Sequence, residues 1–87
     1  MSEPETNLLP IGKAAKKSGV SRHSVQYYVM VGLLEATEKT PTGRNLFGPE
    51  AIDRIRMIKR LNESGYPLRA IRELFLQQGK SLKGNGL

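Results

Sequence analysis

Apolar residues recur at helical spacing in four stretches of the chain, and one intervening stretch loses that period. In the first, Ile11, Ala14 and Ala15 share a face while Lys13, Lys16 and Lys17 lie elsewhere, which predicts a short helix over Ile11–Ser18. Gly19 follows where helices commonly stop. Ser21 is a favourable N-cap for a second helix, roughly Arg22–Val31, which Gly32 closes. At about 100° per residue, Val25, Tyr28 and Val29 of this helix fall within one arc, and Arg22, His23, Gln26, Tyr27 and Met30 fall on the opposite one. Two short helices joined through a glycine turn have the spacing of a helix-turn-helix, a spacing shared with helical hairpins that touch no nucleic acid.

Between Leu33 and Phe47 the helical period disappears, and Pro41–Gly43 punctuates the segment. Leu33–Lys39 and Asn45–Phe47 are predicted as the two strands of a hairpin. Gly48-Pro49-Glu50 has the features of a helix start, proline at the first helical position and an acid in the first turn. The third helix then runs to about Ser64, with Ile55 and Ile58 central on its apolar face and Ile52 and Leu61 at the edges. After Gly65, a fourth helix from Pro67 to about Gln78 turns Leu68, Ile71, Leu74 and Phe75 inward. The expected fold is mainly α, a winged helix-turn-helix of four helices with a small β-hairpin wing between helices 2 and 3. Residues 1–8, acidic and proline-containing, and 79–87, rich in glycine with little apolar mass, are expected to be flexible tails around a single domain over 9–78.

Charge changes the picture more than composition does. Fourteen Lys and Arg against eight Asp and Glu give a formal net charge of +6, a field that attracts polyanions or simply maintains solubility. The acids Glu3 and Glu5 lead the chain, whereas the body from Ile11 to Arg72 carries most of the bases. The absence of cysteine excludes disulfides, a thiolate nucleophile and thiolate metal ligands. No apolar run approaches the roughly 20 residues of a membrane span, and the first residues lack the pattern of a secretory signal, so a cytoplasmic location without membrane partners is expected.

The outward face of the second helix carries the candidate chemistry. Arg can bind guanine O6 and N7 bidentately, and Gln can bind adenine N6 and N7 likewise; Arg22 and Gln26 stand one turn apart for such base contacts, against the plainer reading of a solvated face. The single histidine, His23, has no His or Cys companion for a metal and is expected to contact a base or a phosphate. Tyr27 can reach a phosphate oxygen through its hydroxyl, whereas Tyr28 points to the core on the wheel. Arg44 and Asn45 follow Gly43 at the wing tip, where an arginine can track the backbone or enter the minor groove. Arg56 and Arg60 form a basic pair on the third helix, a candidate backbone contact or a solvated face. No set of residues makes a catalytic constellation and no cofactor is implied, so an enzyme is not expected.

The series Ile11-Gly12-Lys13-Ala14-Ala15, Ser18-Gly19-Val20-Ser21, Val25-Gln26-Tyr27-Tyr28 and Val31-Gly32-Leu33-Leu34 resembles the N-terminal domain of MerR-like transcription regulators. The likeness continues through Gly43-Arg44-Asn45-Leu46-Phe47, Ile58, and Gly65-Tyr66-Pro67-Leu68 with Ile71 and Leu74. It implies a helix-turn-helix, a wing, a second wing made by a further helix pair, and dimeric binding to a pseudo-palindromic promoter whose DNA is distorted, with RNA polymerase as a further partner. By position it implies base contacts from Arg22, His23 and Gln26 and backbone contacts from Tyr27, Arg44 and Tyr28. Family members usually have Arg at the position of Gln26 and Glu at that of Val29, so a different base preference is expected. The family's dimerising helix and effector domain would begin beyond about Gln78; this chain is either the excised domain of a longer regulator or a natural short protein. A protein-docking winged helix, motivated by the outward Leu76, and a DNA-architectural factor are the alternatives.

Overall fold

The computed structural model describes residues 8–84, with side chains as far as Gln77. In chain order the elements are β1 (Leu9–Pro10), α1 (Ile11–Ser18), α2 (Arg22–Met30), β2 (Glu38–Lys39), β3 (Asn45–Phe47), α3 (Pro49–Glu63) and α4 (Leu68–Gly84). The strands form an antiparallel sheet in the order β1-β3-β2, with Leu9 opposite Phe47, Pro10 opposite Leu46, and Lys39 opposite Asn45.

Local chemistry sets the helix ends. Gly19 adopts φ 79°, and its N–H and that of Val20 both reach the Ala15 carbonyl, at 2.9 and 3.1 Å, satisfying the end of α1 as a left-handed C-cap does. Ser21 Oγ accepts from Ser24 N–H at 3.0 Å, capping α2. Pro49 opens α3, where a missing N–H costs nothing, and Gly48 N–H is taken by Thr37 Oγ1 at 2.8 Å.

One core joins every helix. Ala14 and Ala15 of α1 lie beside Val25 and Tyr28 of α2, Leu33 and Leu34, Phe47, Ala51, Ile52, Ile55 and Ile58 of α3, and Ile71 of α4. The alanines let α1 approach α2 and α3 closely, which fixes the angle at which α2 is presented.

Three expectations are corrected, and one strand was not expected. The strand predicted over 33–39 is only Glu38–Lys39, because Leu33 and Leu34 are consecutive and both buried, which the alternation of a strand forbids. The two-residue β1 has no periodic signal at all. Helix α4 continues past the expected end at Gln78 to Gly84, so residues 79–84 are helical; one glycine at position 79 costs a helix about 1 kcal/mol and does not end it. Leu74 is 43% exposed, because the buried arc of α4 is centred between Ile71 and Phe75, about a quarter turn away. Of the expected tails, 1–7 and 85–87 lie outside the described residues.

Candidate nucleic-acid interface

Helix α2 sorts its side chains as the wheel predicts. Val25 and Tyr28 are buried and Val29 is half-buried, while Arg22, His23, Gln26, Tyr27 and Met30 are exposed. Burial of Val25 and Tyr28 against the α1 alanines holds the helix, so the outward residues project from a fixed backbone.

The wing stands against one flank of this helix. Arg22, Gln26 and Val29 share a groove of about 370 Å³ with Arg44 and Asn45 of the wing and with Pro10–Gly12 at the start of α1. The wing tip is closed on itself. Gly43, at φ 89°, donates to the Thr40 carbonyl at 2.9 Å, Thr40 N–H donates to the Arg44 carbonyl at 2.8 Å, and Arg44 N–H donates to Thr40 Oγ1 at 3.0 Å. These bonds consume backbone groups and leave the Arg44 side chain exposed.

The opposite flank is basic as well. Tyr27 and Val31 border a smaller cleft of about 250 Å³ with Leu68, Arg69 and Arg72 of α4. The positive charge of Arg69 and Arg72 is plain in the sequence, but only the fold carries the start of α4 to Tyr27. These two arginines are the candidate site residues that the sequence alone did not single out.

Two expected backbone contacts have structural partners of their own. Arg56 Nη2 donates to the Lys17 carbonyl at 3.1 Å, placing a cation on the unsatisfied C-terminal end of α1. Tyr28 is 7% exposed and belongs to the core, as the wheel indicated and the tyrosine-pair likeness did not. Burial, and secondarily the charge of Glu63, raises its phenol above the ordinary value. Among the described residues, no cluster of three or more His, Cys, Asp or Glu could hold a metal, and no helix is long and apolar enough to cross a membrane.

An exposed polar helix held by a small-residue turn and flanked by an arginine-bearing wing defines a winged helix-turn-helix. Residues 9–78 match the model of the MerR HTH family regulatory proteins, and the chain belongs to that family. It is 36% identical over 64 residues to the mercuric resistance operon regulatory protein of Bacillus cereus, covering 74% of this chain and 48% of that one. The crystal structure of a MerR family transcriptional regulator from Bacillus thuringiensis superposes with a TM-score of 0.68 at 26% identity, covering 90% of this chain and 66% of that one. HiNmlR, a MerR family regulator lacking the sensor domain and crystallised bound to promoter DNA, shares the fold with a TM-score of 0.70 at 22% identity, covering 87% of this chain and 74% of that one. The chain thus spans about half the length of the Bacillus cereus relative.

Proposed function

We propose that this chain is the sequence-reading module of a transcription regulator, binding double-stranded DNA with α2 in the major groove. Arg22, His23 and Gln26 meet base edges, the wing residues Arg44 and Asn45 meet the backbone on one side, and Tyr27, Arg69 and Arg72 meet it on the other. The observation that carries this reading is the shared groove of Arg22 and Gln26 with Arg44 and Asn45, which brings base-reading and phosphate-neutralising groups to one surface. Arg56 assists by holding the end of α1, from which the turn into α2 departs. The role is non-enzymatic and cytoplasmic. In a longer chain of the relatives' length, two copies would read a pseudo-palindromic promoter and meet RNA polymerase there.

Selection of bound duplexes from a random DNA pool tests the reading. Enrichment of one half-site, with affinity that falls as salt rises, is the expected result. Recovery of no consensus with salt-dependent binding intact would assign an architectural role instead. Leu76, 52% exposed beside a cleft lined by Leu34, Ala36 and Arg54, favours a second, protein-docking activity alongside DNA binding.

A further inference from the structure

The turn that ends α2 is gripped by side chains from two other helices. Gly32, at φ 84°, and Leu33 form it, with Leu33 N–H closing on the Tyr28 carbonyl at 2.9 Å. Arg54 of α3 donates Nε–H to the Leu33 carbonyl at 3.2 Å and lays its guanidinium carbon 3.9 Å from the centre of the Phe75 ring of α4. Arg72, one turn earlier on α4, lies so close to Gly32 that a Cβ there would come within 3.2 Å of its Nε. A guanidinium can make both Arg54 contacts at once, because its donors lie in the plane and its face is free to stack; an ammonium offers no such face.

From this geometry we infer that Arg54 is a positioning residue for DNA binding, coupling the end of α2 to α4 through Phe75 and so fixing where Arg69 stands beside Tyr27. The inference rests on the reading of Arg69 as a backbone contact. Helix α4 needs such a fixture. Its described part buries only Ile71 fully, with Leu68 and Phe75 half-buried, and that thin apolar seam on α3 is not directional. A hydrogen bond and a ring stack are directional. A cleft of about 530 Å³, lined by Leu33, Leu34, Arg54 and Leu76 among others, lies beside the contact and leaves α4 room to rock once Arg54 is lost. Loss of Arg54 then withdraws the Arg69 contact and leaves the base contacts of α2 as they were.

Anisotropy titrations of a labelled duplex carrying the selected half-site, at fixed salt and with circular dichroism of every variant, test this. Arg69→Ala in the otherwise unchanged chain should weaken binding and lower the salt slope by about one unit. Arg54→Gln should weaken binding at least about twofold and abolish the further effect of Arg69→Ala, whereas Arg22→Ala should cost the same factor with or without Arg54. Phe75→Tyr, which keeps the ring face, should bind as the unaltered chain does, and Phe75→Leu should behave like Arg54→Gln. Should Arg54→Gln lose its fold, the two Phe75 variants decide. Full additivity of Arg54→Gln with Arg69→Ala, or equal binding by Phe75→Leu and Phe75→Tyr, overturns the coupling. No effect of Arg69→Ala alone overturns the α4 contact itself, and the inference with it.

Discussion

Arg22 and Gln26 stand one turn apart at the start of α2, and their long side chains are the ones that meet the wing groove. Replacing either with Ala should cost on the order of 1–3 kcal/mol on the selected site and relax preference at one or two base pairs. Equal loss on selected and random duplexes would rule out base reading. Arg44 belongs to another class of contact: Arg44→Ala should weaken all sequences alike and flatten the salt slope by about one unit. An unchanged slope would remove Arg44 from the backbone contacts. Tyr28 makes a prediction about pH. Its folded phenol is raised above the ordinary value of 10.0, so the unfolded chain ionises first, and this contribution to stability is intact below that value and declines as pH rises through the folded value. In a Tyr27→Phe, Tyr66→Phe variant, where Tyr28 is the sole tyrosine, the phenolate absorbance should rise with a midpoint above 10.0; a midpoint at or below it would contradict the burial. Single residues of α2 were legible in the sequence because period alone divides Val25 and Tyr28 from Arg22 and Gln26. Arg69 was not, since its neighbour Tyr27 is remote in the chain and close only in the fold.

At the scale of elements, capping and period account for both the successes and the misses. The bounds of α1 agree with expectation because a glycine in the left-handed region ends it, and α2 starts where expected because Ser21 caps it. Ser21→Ala should therefore destabilise the domain by about 1 kcal/mol, read as a lower denaturation midpoint with unchanged slope. A midpoint that does not move would mean that the Ser24 N–H finds water as good a partner. Strand β3 has its expected bounds, Asn45–Phe47, whereas β1 and β2 were poorly legible because two residues are too few to show alternation, and Pro10 in β1 carries a residue type that usually argues against a strand. The end of α4 was misjudged because glycine content signals a cost, and cost alone does not locate a terminus.

For the molecule as a whole, the question is what one copy can do alone. Among the described side chains of α4, the exposed apolar ones are Leu74 and Leu76, at 43% and 52% exposure, which fall short of the multi-turn seam of a stable helical dimer. The 87-residue chain should sediment as a monomer at tens of micromolar and bind a single half-site weakly, because the gain from linked half-sites, roughly 10²–10⁴-fold, is missing. A stable dimer at that concentration would show that the Leu74 and Leu76 face, or another surface, forms an interface. The sheet has its own bearing on how one copy binds. Leu9 and Pro10 pair with β3 and run without a break into α1, so the third strand of the wing is also the lead-in to the helix-turn-helix. A hairpin of two strands is marginal in water, and the third strand makes the wing part of the folded body. In the proposed complex Arg44 would therefore reach a phosphate with most of its backbone freedom already lost in folding, and binding would forfeit less entropy for it. The practical corollary concerns boundaries: trimming the chain to Ile11 would keep every helix and still return the wing to a fluctuating ribbon.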